Sequence, residues 1–373
     1  MRVNKKQENG KNKIVLTGGH AATTALATVE ELIRRGSWDI YWIGGGTAIE
    51  GKRIPTMESE IFPKIGIKSH KIISGRIQRK LTIWTIPLLF KIPLGFFHAI
   101  LLLLKIKPKI ILSFGGAASY PVVVVGRFLG IPVVIHEQTS AAGRANKSSA
   151  KFAKVVALAR SSSKKHFPAK KCRVVGNPLL TQIAEIQPKE KIGNPPIIFI
   201  TGGSRGSQTI NTFVLKTIKK LLADYLVIHQ TGHLDYKKIK KLKETLPENL
   251  KNRYEIYSVL DPMDIDGVYK RADIVVARAG ANTVFEIVAT KRPAVLIPIP
   301  WSYEDEQTKN AQYAEKLGLV KILNQVTLTG DVLYQAIKEI EGSWADIVKS
   351  VRGKKSPDID ASRKLVNLLE GFV

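Results

Sequence analysis

A chain of 373 residues, 44% hydrophobic and 24% charged, is long enough for two domains of ordinary size and is no disordered or low-complexity protein. Its 58 Lys+Arg against 31 Asp+Glu give a net charge of +27, which attracts polyanions such as nucleic acid, anionic lipid or phosphorylated substrates, although lysines on solvated faces give the same total. No nucleic-acid-binding signature accompanies those lysines, so nucleic acid is not expected as a partner; the single cysteine, Cys172, excludes an internal disulfide framework and fits a reducing compartment.

Residues 1–12 are polar, lack the apolar run of a secretory signal, and read as a flexible leader. Strand-like and helix-like runs then alternate, the grammar of a parallel α/β sheet. The predicted strands of the first half are KIVLT (13–17), IYWIG (40–44), KIILSF (109–114), PVVIHE (132–137) and KVVAL (154–158). The helical pattern after the first of them is ended by Gly36. Residues 186–196, IQPKEKIGNPP, read as a linker, after which the pattern restarts with PIIFIT (196–201), YLVIHQ (225–230), ADIVVAR (272–278) and PAVLIPI (293–299). The expected organisation is a first Rossmann-like domain over 13–185, a second over 197–345, and a tail with a helix over 346–373 that packs back across the domains. Both halves open on a strand–TGG–helix junction, so two facing nucleotide-fold domains with a cleft between them are expected, with ligands beyond the carboxyl ends of the strands.

Residues 83–104, IWTIPLLFKIPLGFFHAILLLL, are long enough to cross a bilayer. Lys91 sits mid-run, Pro87 and Pro93 divide it, and a crossing would separate strands of one sheet. Two readings stay open: a patch lying on a membrane surface, where Trp84, Leu88, Leu89, Phe90, Phe96 and Phe97 would enter the headgroup boundary beside flanking basic residues, or a buried connection packed on the sheet.

Four strand exits carry glycine: TGGH (17–20), FGGAAS (114–119), TGGSRG (201–206) and RAGANT (278–283). One such turn is weak evidence; four across two similar halves point to a phosphorylated ligand held by backbone N–H groups. None matches the Walker pattern or GxGxxG with its acidic partner, which disfavours ATP hydrolysis and a dinucleotide redox cofactor. Thr283-x-x-Glu286 is either a capping box or a carboxylate placed to accept two ribose hydroxyls. WSYEDEQTKN (301–310) suits sugar hydroxyls or is a solvated loop. Asp264-Ile265-Asp266 resembles a metal-binding DxD but opens a helix, and no His/Cys cluster offers a metal site, so no metal is expected. His20, at a helix N-terminus beside a phosphate turn, is either a ligand to the anion or a general base.

In order and spacing, TGGH, SFGGAASYP, GIPVVIHEQT, RANKSSAKFAKVVA, VVGNP, TGGSRGSQTIN, HQTG, ADIVVARAGANTVFEI and EQTKNA resemble the MurG-type glycosyltransferases of bacterial cell-wall synthesis. The resemblance covers about residues 13–323 and implies the two-domain GT-B fold. It also implies inverting transfer of N-acetylglucosamine from UDP-N-acetylglucosamine to the membrane-anchored lipid I, giving lipid II, without metal or other cofactor, at the cytoplasmic face of the membrane. It implies His20 as base or phosphate ligand with Glu137 as a second candidate base, and Thr17, Gly18 and Gly19 at the acceptor-side lip and among the donor contacts. Gly202, Gly203 and Ser204 are implied at the donor diphosphate, Leu260 and Met263 around the uracil, Glu286 at the ribose, Ala281, Asn282 and Thr283 as helix-end contacts to the donor, Gln307 at the sugar hydroxyls, and Thr139 in place of an amide that contacts the donor sugar or the acceptor. Gly115, Gly116 and His136 are implied along the acceptor groove. Leu180 stands where the family has a diphosphate-binding arginine, with Arg205 a nearby replacement cation. Rivals that stay open are a transferase to another lipid such as diacylglycerol, a UDP-sugar epimerase, which would act without an acceptor, and a membrane-docked subunit that binds donor without turnover.

Overall fold

A computed structural model of the chain describes residues 10–19, 22–46, 56–73, 85–203 and 206–373, the side chains of residues 22 and 85–91 aside. It contains two compact units, residues 1–180 with 357–373, and residues 181–356. The first is built on seven parallel strands: β1 (Asn12–Gly18), β2 (Trp38–Gly44), β3 (Lys68–Lys71), β4 (Ile110–Ser113), β5 (Val133–Glu137), β6 (Val155–Leu158) and β7 (Cys172–Val174), in the order β3-β2-β1-β4-β5-β6-β7. The second has six: β8 (Ile197–Thr201), β9 (Leu226–Gln230), β10 (Tyr254–Tyr257), β11 (Ile274–Ala277), β12 (Ala294–Leu296) and β13 (Val320–Ile322), in the order β10-β9-β8-β11-β12-β13. Both sheets are parallel throughout.

The central strands are continuous apolar runs because helices cover both faces of a parallel sheet. Ile14, Val15 and Leu16 of β1 and Ile274, Val275 and Val276 of β11 are wholly enclosed, each burial worth about 1.5–3 kcal/mol. The helix Ala22–Arg35 buries Ala25, Leu26, Val29 and Leu32 on one face and stops at Gly36, whose φ of +74° and N–H to the Leu32 and Ile33 carbonyls close the last turn.

Three boundaries differ from the sequence reading. Residues 186–196 pack on the second unit instead of linking two bodies: the buried Asp273 carboxylate accepts from Lys189 Nζ (2.5 Å), Gly193 N (3.2 Å) and Ile197 N (2.8 Å). Residues 346–356 also stay with the second unit. From Pro357 the chain returns to the first, where helix Ala361–Glu370 packs on helix Ala22–Arg35 and Glu370 and Asn367 receive the Arg35 guanidinium. Asp358, fully buried, holds that return with a bidentate pair to Arg160 (2.7 and 2.5 Å) and a bond from Asn177 N (2.7 Å). Pro87 and Pro93 do not divide the apolar run, since one helix spans Thr85–Ile106. Pro87 lies in its first turn, where no intrahelical N–H is required.

Candidate active site

In the first unit, β1, β4 and β5 lie side by side, so their carboxyl ends bring Gly19, Phe114–Gly116 and Glu137–Thr139 together. With Gly143, Ala145 and Asn146 they line a cavity of about 150 Å³. Two glycines are obligatory here. Gly115 and Gly116 have φ of +82° and +96°; a Cβ on Gly115 would lie 2.6 Å from Asn146 Oδ1, and one on Gly116 3.0 Å from Gly19 N. Gly19 N donates to Gly115 O (3.0 Å), locking the two turns.

Glu137 organises the far wall. One carboxylate oxygen accepts from Thr139 N (2.9 Å) and Thr139 Oγ1 (2.8 Å), the other from Gly143 N (2.9 Å) and Asn146 Nδ2 (2.9 Å). Four donors on a 2%-exposed side chain leave no oxygen directed at a substrate proton, so the sequence assignment of Glu137 as a base gives way to a positioning role. The Thr139 hydroxyl proton is spent on Glu137, which leaves that oxygen free only as an acceptor. His136 is also corrected. It is fully enclosed below the cavity, its Nε2 donating to Gly176 O (2.9 Å), and burial pushes its pKa down to about 4, so it stays neutral. Its carbonyl, which accepts from Asn146 Nδ2 (3.2 Å), is what supports the wall. Thr17 and Gly18 are buried and do not line the cavity; of that turn Gly19 does. His20 lies outside the described residues.

In the second unit the strand order sets the loops after β10, β9, β8, β11 and β12 in a row along one sheet edge. The β8 exit is a tight glycine turn: a Cβ on Gly202 would meet Ser207 N at 2.2 Å, and one on Gly206, at φ +73°, Thr231 O at 2.3 Å. Gln230, the buried last residue of β9, donates from Nε2 to Gly203 O (2.8 Å), and Ser207 caps helix Gln208–Asp224 by accepting from Ile210 N. Ser204 and Arg205 lie outside the described residues. Leu260 and Met263, half-buried, sit in the loop after β10, whose Pro262 and Met263 carbonyls accept from Gln182 Nε2 (3.1 and 2.8 Å). Gln182 went unnoticed in the sequence because nothing local marks a distant loop anchor.

Helix Ala281–Thr290 has Gly280 as its N-cap, so Thr283 is its third residue and Glu286 its sixth. That geometry removes the capping-box reading. The Glu286 carboxylate accepts from Tyr269 Oη (3.0 Å), and although the residue as a whole is only partly covered, burial around the carboxylate raises its pKa to about 7. Ala281, Asn282 and Thr283 form the first turn of this helix. Gln307 accepts from Ile299 N (3.1 Å) through Oε1, which ties the start of its helix to the β12 exit. Asp266 is paired with Lys270 (2.6 Å), and among the described residues no group of three His, Cys, Asp or Glu is placed to hold a metal.

Two family models match the chain: the glycosyltransferase family 28 N-terminal domain over residues 16–158 and its C-terminal domain over 197–356. A UDP-N-acetylglucosamine--N-acetylmuramyl-(pentapeptide) pyrophosphoryl-undecaprenol N-acetylglucosamine transferase of Clostridium kluyveri is 32% identical over 96% of this chain and 99% of its own. The chain belongs to the MurG family of glycosyltransferases. The crystal structure of Acinetobacter baumannii MurG aligns with a TM-score of 0.69 at 28% identity, covering 96% of this chain and 99% of that one. The two parallel α/β units of this MurG-family chain are the GT-B class of fold. A UDP-N-acetylglucosamine 2-epimerase shares that fold at 16% identity (TM-score 0.63, covering 97% of this chain and 96% of its own), a likeness of architecture alone.

Proposed function

We propose that the protein transfers N-acetylglucosamine from UDP-N-acetylglucosamine to the muramyl sugar of a pyrophosphoryl-polyprenol acceptor, turning lipid I into lipid II. The observation that carries this reading is near-full-length similarity to a transferase of that name, joined to phosphate-type glycine turns in both units. In this mechanism the first unit holds the acceptor and the second the donor. The acceptor hydroxyl attacks the anomeric carbon from the face opposite UDP and gives its proton to His20. The bond from that carbon to the β-phosphate oxygen breaks, and UDP leaves with the electron pair, inverting the centre. Charge gathering on UDP is met by N–H groups of the Gly202–Ser207 turn, by Ser204, and by the N-terminus of helix Gln208–Asp224.

The deciding experiment incubates the protein with UDP-N-acetylglucosamine and a short-chain lipid I analogue and measures the disaccharide product and released UDP. Product from diacylglycerol instead, epimerised sugar nucleotide without acceptor, or donor binding without turnover would each replace the proposal with its matching rival. A His20→Ala variant is expected to lose about 10²–10⁴ in turnover with donor affinity kept.

Glu286 gives the donor site a pH signature. The carboxyl is ionised above about pH 7 and protonated below, and only the carboxylate accepts both ribose hydroxyls. UDP affinity is therefore expected to be full above pH 7 and to fall about tenfold per unit below it, with Glu286→Gln weaker and flat across the range. Calorimetry from pH 5.5 to 8.5 checks this; a wild-type curve as flat as the variant's would remove Glu286 from the ribose.

Among the described residues no helix is long and apolar enough to cross a membrane. We place the protein as a peripheral enzyme on the cytoplasmic face, docked on anionic lipid through helix Thr85–Ile106. Leu94, Phe97, Leu101 and Leu104 lie three or four residues apart along it, and each is more than half exposed. Phe96 is turned the other way, edge-on to Tyr120 and packed on the core, so it leaves the contact set. Trp84 lies outside the described residues, and Leu88, Leu89 and Phe90 lie in the helix without described side chains. Phe97→Ser with Leu101→Ser is expected to cut co-sedimentation with anionic vesicles about tenfold or more, while Phe96→Ser lowers stability instead. Undiminished sedimentation of the double variant would move the contact elsewhere.

A further inference from the structure

We propose that Arg278 supplies the cation that meets the donor diphosphate, an inference that rests on the donor site read above. Arg278 directly follows β11, which pairs with β8 through Ala277 and Thr201, so it emerges beside the Gly202–Ser207 turn. Its Nε donates to Ser207 Oγ (3.0 Å) and its Nη1 to Ile297 O (2.9 Å), and the residue is 7% exposed. Both partners are neutral oxygens. Among the described residues no carboxylate pairs with it and Nη2 has no partner. Burial lowers its pKa to about 10, which still leaves it charged at neutral pH.

Two other arginines, the partly buried Arg160 and the enclosed Arg292, show how this fold treats a structural guanidinium. Arg160 is bidentate to the buried Asp358. Arg292, 1% exposed, donates to the carbonyls of Tyr269, Thr290 and Gln187 and feels the Asp273 carboxylate. Arg278 has neither an acid nor such a cage, and a buried charge left without a counter-ion is costly. A ligand anion at the adjacent turn repays that cost, and the fork geometry of guanidinium suits phosphate oxygens. Ser207 holds the fork beside the turn. Leu180, where the family resemblance implies an arginine, is a buried leucine and brings no charge.

The test is calorimetry on the full chain with UDP, with inorganic pyrophosphate and uridine measured as competitors, for wild type, Arg278→Lys and Arg278→Met. Arg278→Met is expected to weaken UDP by about 10- to 100-fold and abolish competition by pyrophosphate while leaving uridine unchanged. Arg278→Lys keeps the charge without the fork and is expected to fall between the two. Unchanged UDP affinity in the Met variant, or equal weakening of UDP and uridine in both variants, overturns the assignment by showing no role or a structural one. Absence of UDP binding by the wild-type protein instead overturns the donor-site reading beneath it.

Discussion

Glu137→Gln is expected to lower transferase turnover by about 10²–10³ and to destabilise the first unit by about 3 kcal/mol. The carboxylate receives two donors on each oxygen, from Thr139 N and Oγ1 and from Gly143 N and Asn146 Nδ2. A glutamine must turn its own NH₂ towards one of those pairs, breaking two bonds and facing donor with donor. The loop carrying Thr139, Gly143 and Asn146 then loses the point around which it is folded, and with it one wall of the cavity. Because the residue acts by holding others, the acid limb of the pH–rate profile should survive in the residual activity. Near-wild-type turnover would show the loop is held by something else, and loss of the acid limb would return Glu137 to the proton-transfer role that its sequence position suggested.

Gly206→Ala is expected to abolish measurable UDP binding and to cost about 2–4 kcal/mol of stability. The added methyl would lie 2.3 Å from Thr231 O and 2.6 Å from Gly232 Cα, on a residue whose φ of +73° already disfavours any side chain. The three nearest atoms are all backbone, so relief requires moving the exit of β9 or opening the turn after β8. Gly342→Ala is the matched control: a Cβ there meets nothing within 4 Å and the residue ends a helix, so it should leave stability unchanged or raise it by up to about 1 kcal/mol. Chemical denaturation with UDP titration separates the two; binding retained by Gly206→Ala would mean that the turn tolerates opening.

The two-unit α/β architecture was legible because central parallel strands need apolar runs on both faces, and nine such runs stand out between turn signals. The four strands that escaped notice are β3, β7, β10 and β13. All four have few apolar residues or alternate with charge, as in Lys68–Lys71 and Val320–Ile322. They sit at or near sheet edges, where one flank faces solvent and the pattern is not enforced. Within the site, glycines at strand exits were readable because the backbone demands them. Roles of side chains were less so. Glu137 and His136 carry reactive groups that the fold consumes internally, and Glu286 lost its capping alternative only once the helix start was fixed at Ala281. Arg278 gave no local sign, since what distinguishes it is the absence of an acid in three dimensions.

The return of residues 357–373 to the first unit sets an order of assembly. Asp358, Leu365, Val366 and Leu369 are completely enclosed, and they are translated only after the whole of the second unit. On the ribosome the first unit therefore waits, with the face of helix Ala22–Arg35 that receives helix Ala361–Glu370 uncovered, until the second unit has been synthesised. Nascent protein therefore cannot complete the first unit before the whole of the second has been made.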